Sequence, residues 1–327
     1  MIHARAPFDF AATAKFLRFT EAETIDLFDG NVYRRLCHIN NHLRLISVKA
    51  CGTRARPALA VRLIPAATDG DAESSLILDA AVGIVQRVFS VDHHLKGFQA
   101  QVAADPVLSK LETAHRGLHL PRWPSLFETL VISILSQQIS TVVAMTLKRR
   151  VVESFGERLE LDGQTFFAFP RPGALANTDA ENLRALGISR AKAASIIELA
   201  RATVNGSINA DKLAGEDNET VIRTLSDLRG VGRWTAEWAL MLYFGRTDVF
   251  PAGDLAVRGV LAKYYDAVAN SRERDLREFA QKRWGQWASY ATIYILAGLR
   301  AGTINLRSER VVSSTAAGSS PRRSAGK

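Results

Sequence analysis

The segment Leu228-Arg229-Gly230-Val231-Gly232-Arg233-Trp234-Thr235-Ala236 constrains this chain more than any other. An apolar-striped run with Val221, Ile222 and Leu225 on one face leads into it, and a second helical run, Trp234 to Phe244, leaves it. Two glycines two positions apart admit positive φ and remove side chains that would bar a close approach. The predicted unit is therefore helix, tight turn, helix. In it the amides of Gly230, Gly232 and Arg233 can point outward at a helix N-terminus, where backbone and helix dipole suit a phosphate oxygen. Binding of that kind reads no base edge and does not depend on sequence. An ordinary αα-turn with a glycine C-cap would use the same nine residues, so both readings stand at this point.

Helical periodicity extends far beyond the turn, from about residue 97 to 302. Phe127, Leu130, Val131, Ile134 and Leu135 follow i, i+3, i+4, i+7, i+8 spacing, and Val142, Met145 and Leu147 predict a second helix running to Phe155-Gly156. Thr178-Asp179-Ala180-Glu181 reads as a capping box ahead of a short helix that stops at Gly187. Ser189 caps the next helix, with Ala193, Ile196, Ile197 and Ala200 inward and Gly206 closing it. The first ninety residues differ. Leu43, Leu45 and Val48 partly alternate with His42, Arg44, Ser47 and Lys49, and Leu59 to Leu63 alternates less strictly. A helical stripe of Ile77, Ala81, Ile84, Val85 and Val88 follows the Asp69-Gly70-Asp71 loop. These features predict a small antiparallel α+β domain over residues 1–96, with no constellation of catalytic residues.

Charge narrows the partners. The chain carries 42 Lys+Arg against 33 Asp+Glu, a net +9. A net +4 of that charge sits in the tail 303–327, rich in Ser, Ala and Gly, which is expected to be disordered. The balance suits a polyanion such as DNA. No run of 18 apolar residues occurs, which excludes a spanning helix, and Met1 to Pro7 lacks the apolar core of a signal peptide, so the expected location is the cytoplasm, in association with DNA. Two cysteines, Cys37 and Cys51, cannot supply a disulfide framework or a four-cysteine iron–sulfur site. Adjacent His93 and His94 point about 100° apart on a helix and make a poor chelate.

Twenty-two positions after Gly232 stands Asp254, within Asp248-Val249-Phe250-Pro251-Ala252-Gly253-Asp254-Leu255-Ala256-Val257-Arg258. With this hairpin, a Gly/Pro-rich loop and then the aspartate, the chain resembles the helix–hairpin–helix DNA glycosylase superfamily over roughly residues 97–302. It is most similar to the 3-methyladenine glycosylase II (AlkA-like) branch, which the α+β start also resembles. The resemblance implies a mainly α fold: a two-lobed helical domain over 97–302, with lobes at about 129–245 and at 97–128 plus 246–302, behind the α+β domain. It makes Asp254 the catalytic residue; Asp248 and Asp266 are rivals better suited to capping or solvating neighbouring elements. Three departures matter. Trp234 occupies the position where bifunctional members carry a lysine nucleophile, so a Schiff-base lyase step lacks its amine. No cysteines follow the domain, so no iron–sulfur cluster is expected. Gln138 stands where relatives place an apolar plug that fills the hole left by a flipped base, and Arg229 replaces a common hairpin proline, adding a donor near the phosphate.

Excising a base requires extruding it from the stack, at a few kcal/mol. As the glycosidic bond breaks the sugar gains oxocarbenium character, which a fixed carboxylate stabilises. No second general acid is evident, which favours bases alkylated at N3 or N7, because these leave without protonation. An aromatic pocket attracts such cations by about 0.5–2 kcal/mol. The resemblance matches Trp234, Trp238 and Trp287 to that pocket, with Tyr290 and Trp284 read as core. It further matches Gly230, Gly232, Arg233, Thr235, Gln137 and Gln138 to the DNA-binding surface. The main-chain carbonyls of Ser226, Leu228 and Val231 match a structural monovalent cation site, Na+ or K+, and no other cofactor is expected. The resulting expectation is a monomeric, monofunctional glycosylase acting on double-stranded DNA containing alkylated bases. A glycosylase for oxidised or deaminated bases, and a non-catalytic lesion-binding protein, are the alternatives.

Overall fold

The computed structural model describes residues 1–18, 20, 23–64, 72–265 and 271–306. The Asp69-Gly70-Asp71 loop, Asp266 and the tail from 307 onward lie outside the described residues.

The chain opens with β1 (Ile2–His3), α1 (Phe10–Leu17), β2 (Leu27–Phe28), β3 (Val32–Ile39), β4 (His42–Ala50), β5 (Ala58–Ile64) and α2 (Ala72–Val88). The five strands form one antiparallel sheet in the order β1-β5-β4-β3-β2, with Tyr33 opposite Val48 and Leu36 opposite Leu45. Asp9 starts α1 by accepting the Ala12 amide at 2.9 Å. One sheet face, carrying Tyr33, Cys37, Val48 and Leu63, packs on Ile77, Ala81, Val85 and Val88 of α2. Leu36 and Leu45 on the other face meet Phe166 and Ala168 from the helical part, and a parallel bridge joins Leu36 to Ala168. Burial on both faces explains why β4 alternates only partly: Leu45 and Ile46 are adjacent and both buried.

Helices α3 (Lys96–Val102), α4 (Leu108–Ala114), α5 (Leu126–Ser136) and α6 (Thr141–Phe155) lead to a two-stranded hairpin, β6 (Arg158–Leu161) and β7 (Gln164–Phe167), which the sequence pattern missed. Then come α7 (Pro172–Ala176), α8 (Ala180–Ala185), α9 (Arg190–Val204), α10 (Ala210–Ala214) and α11 (Asn218–Ser226). After the glycine turn follow α12 (Arg233–Leu242), α13 (Leu255–Tyr264), α14 (Glu273–Trp284), a 3-10 turn at Gly285–Trp287, and α15 (Ala288–Ala301). Ser189 caps α9 as expected. Thr178 does not cap α8: the helix begins one residue later at N-cap Asp179, and the Thr178 hydroxyl accepts from Asn182 instead.

Every residue from Leu126 to Leu135 is buried, so α5 is the central strut of the helical part, enclosed on all sides. It packs on α6, α9 and α12. A chain of buried charges ties this strut to the sheet. Arg35 of β3 donates to Asp26 (2.6 Å) and to Glu128 of α5 (2.5 Å), and Lys148 of α6 donates to Glu23 (2.9 Å). Tyr33 donates its hydroxyl to Asp26 at 2.6 Å. The two guanidinium and ammonium groups hold Asp26 below its ordinary range, whereas burial dominates at Glu128 and raises it.

Candidate active site

Asp254 begins α13 as its N-cap, Oδ1 accepting the amides of Ala256 (3.0 Å) and Val257 (3.1 Å). Trp234 also hydrogen-bonds the carboxylate. The loop delivering Asp254 passes close to that indole: a Cβ on Gly253 would stand 3.3 Å from Trp234 Cδ1 and 3.2 Å from Glu273 Oε1. Burial raises the carboxylate pKa above its ordinary value; the two amides and Trp234 oppose the rise.

A cavity of about 360 Å³ opens beside Asp254, within the size range of small-ligand pockets. Trp234 and Trp238, one turn apart on α12, line it with edge-to-face rings, centroids 6.2 Å apart and planes at 72°. Helix α5 contributes Ile132, Ser133 and Ser136, and α15 contributes Leu296 and Leu299. Trp287 does not join them. It packs over Gly97 and beside Phe98 and Tyr290, with centroids 6.2 and 5.8 Å away, so the structure does not bring it together with Trp234 and Trp238. Tyr290 and Trp284 are core residues, as expected.

Trp123, Phe16 and Leu17 are wall residues that sequence reasoning missed. Trp123 is fixed to α12 by its amide, which donates to Leu242 O at 2.7 Å. Phe16 and Leu17 come from α1, so the N-terminal part supplies one side of the cavity. Arg122 and Arg300 also line it, and burial lowers both guanidinium groups to about 10. Arg122 donates to Tyr243 O at 2.5 and 3.0 Å; Arg300 donates to Phe16 O at 3.0 Å and lies 4.0 Å over the Phe16 ring. No lysine occurs among the described residues that line the cavity.

Of the two glycines in the turn, only Gly230 takes a positive φ. Gly230 has φ +75°, and a Cβ there would lie 2.3 Å from Ser195 Oγ of α9. Gly232, extended at φ −97°, is the N-cap of α12; it faces open space and offers no capping side chain. The leading amides of α12, that of Arg233 among them, thus lack a side-chain acceptor. Arg233 itself pairs with Glu219 and, at 3.1 Å, with Glu237, and Arg229 pairs with Glu198 at 2.9 Å.

Two matched DNA-facing side chains turn inward. Thr235 is buried, and its hydroxyl accepts from Gln137 Nε2 at 3.0 Å. Gln137 also donates to Gly230 O at 2.8 Å, so it braces the turn rather than facing solvent. Gln138 is exposed, but it sits in the α5–α6 loop at φ +56°, not on a helix start. Asp248 accepts from Asn218 at 3.0 Å outside the cavity.

The profile of the HhH-GPD superfamily base excision DNA repair proteins matches residues 131–286, and that of the AlkA N-terminal domain matches residues 1–125. The sequence is 25% identical over 288 residues to a DNA-3-methyladenine glycosylase of Bacillus subtilis, covering 88% of this chain and 93% of that one. It is 34% identical over 188 residues to DNA-3-methyladenine glycosylase 2 of Escherichia coli, 58% of this chain and 63% of the relative. The solved 3-methyladenine DNA-glycosylase of Archaeoglobus fulgidus superposes with a TM-score of 0.78 at 26% identity, over 93% of this chain and 99% of that one.

Proposed function

Because the chain belongs to the HhH-GPD superfamily of base excision DNA repair proteins and begins with an AlkA N-terminal domain, we propose that it excises alkylated purines from double-stranded DNA by hydrolysis, leaving the strand intact. One observation carries the reading. Asp254, the one carboxylate among the described residues that line it, borders an aromatic cavity, and Trp234 of the same wall lies two residues after Gly232, the N-cap of α12.

The chemistry divides among few groups. The amides at the start of α12 hold a backbone phosphate without reading sequence. The extruded base enters the cavity that Trp234 and Trp238 line, where their rings favour a cation. The C1′–N bond breaks, and its electron pair neutralises the N3- or N7-alkylated ring, which departs without a proton donor. Asp254 stabilises the oxocarbenium charge on the sugar. Water adds to C1′ and gives up a proton, completing hydrolysis. Trp234 at the lysine position, and the engagement of Lys263 with Asn305 at 2.9 and 3.0 Å, support the absence of a lyase step. At the hairpin, Leu228 O accepts the Val231 amide at 3.0 Å. Its second lone pair, with the carbonyls of Ser226 and Val231, suits Na+ or K+ as a structural ion.

The test is incubation of the protein with methylated duplex DNA, with free bases scored by chromatography and strands by electrophoresis under borohydride. Release of 3-methyladenine or 7-methylguanine with an intact abasic strand supports the reading. No released base sinks it, and a borohydride-trapped adduct sinks its monofunctional part.

A further inference from the structure

Lys192 lies on α9, away from the cavity, and among the described residues it makes no ion pair. Its ammonium instead donates to two main-chain oxygens at the end of α5, Leu135 O (2.8 Å) and Gln137 O (2.7 Å). A cation there complements the C-terminal end of the α5 dipole and satisfies carbonyls the helix leaves open. The next link is the Gln137 side chain, which reaches Gly230 O and Thr235 Oγ1 across the turn. One helical turn beyond Lys192, Ser195 fills the space against Gly230 where any Cβ would collide. Helix α9 thus touches the glycine turn directly and holds the α5–α6 loop that braces it. In that loop Gln138 keeps a left-handed backbone, a conformation that persists only where its surroundings fix it.

We propose that Lys192 is a positioning residue: it couples the exposed Gln138 loop to the phosphate-binding turn, so that docking the turn on DNA sets the loop against the stacked base to be extruded. The inference rests on the function proposed above. A base already unstacked needs no such alignment, so the coupling acts on duplex substrate and not on single strands.

The experiment uses Lys192→Ala, Lys192→Arg and Gln137→Ala in the full chain. Wild-type release of 7-methylguanine from both duplex and single-stranded methylated DNA checks the underlying function separately. Lys192→Ala should lower single-turnover excision from duplex at least tenfold while changing the single-strand rate less than threefold. Lys192→Arg should restore the duplex rate to within threefold, and Lys192→Ala/Gln137→Ala should lose no more than the worse single variant. Equal losses on the two substrates, no duplex loss, or additive losses would overturn the coupling. Hydrogen exchange gives a reading independent of activity: Lys192→Ala must speed amide exchange in both 137–143 and 228–234. Faster exchange in the first segment alone also overturns it.

Discussion

Asp254 Oδ1 accepts the Ala256 amide at 3.0 Å, so the carboxylate proposed to act on the sugar also caps its own helix. The two roles separate by substitution. Asp254→Asn keeps the capping oxygen and loses the charge; Asp254→Ala loses both. Single-turnover excision should fall about 10²–10³-fold in Asp254→Asn, the usual effect of removing one preorganised electrostatic partner. Asp254→Ala should match that loss and also destabilise the fold by about 1 kcal/mol as the cap disappears. An Asp254→Asn variant retaining more than about a tenth of the rate would make Asp254 structural only.

Acidity gives an independent check. Burial raises the Asp254 pKa in the folded protein above its ordinary value. Excision should therefore decline as pH falls through that raised value, because only the ionised form stabilises the oxocarbenium. Stability runs the other way. The folded state favours the protonated carboxyl, so this group's contribution is present below the unfolded pKa and is lost as pH rises through the folded one. At neutral pH Asp254→Asn should melt above wild type, with the gap closing toward acid. A constant gap would refute the linkage.

The two glycines of the turn make opposite predictions. Gly232 faces open space with an extended backbone, so Gly232→Val should fold normally and weaken binding to every DNA alike. Gly230→Val, at φ +75° and against Ser195, should instead lower the melting temperature. Thermal melts beside fluorescence-anisotropy titrations with modified and unmodified duplexes decide this. A lesion-selective loss in Gly232→Val would contradict phosphate binding.

Tryptophan substitutions distinguish wall from core. Trp238 Nε1 has no hydrogen-bond partner among the described residues, so Trp238→Phe should keep both stability and most activity. Trp238→Ala should reduce excision of cationic bases by more than its loss in DNA affinity. Trp287→Ala should leave the excision rate within twofold while destabilising the fold by less than the about 3–5 kcal/mol of a fully buried tryptophan. A larger catalytic effect from Trp287 than from Trp238 would reverse the assignment.

The buried charges at the sheet–helix seam are tested by Lys148→Met. It leaves Glu23 and Asp26 with one cation fewer, and breaking a buried pair costs about 3–5 kcal/mol. Adding Glu23→Gln should recover part of the loss in denaturant unfolding. A loss under 1 kcal/mol would mean water reaches the cluster.

The glycine turn, its flanking helices and the spacing to Asp254 were legible because each depends on local chemistry: glycine φ, helical period, a capping carboxylate. Strand β3 was not, since its Arg35 is buried by partners 9 and 93 residues away and breaks any alternation. Thr235 and Gln137 read as surface residues, and only their mutual hydrogen bond turns them inward. Trp287 stands apart from the cavity and Trp123 in its wall for a similar reason: the sequence around a tryptophan does not show which helices converge on it. Trp123 stands ahead of α5 with no periodic signal, and its amide bond to α12 joins residues far apart in the sequence.

Phe16 and Leu17 lie more than 230 positions before Asp254 in the chain, yet they line the same cavity. Substitutions in α1 should therefore reshape the cavity while the hairpin and the carboxylate stay fixed. By the same token the helical part, excised from its N-terminal neighbour, would keep its reacting group and lose one side of its mould.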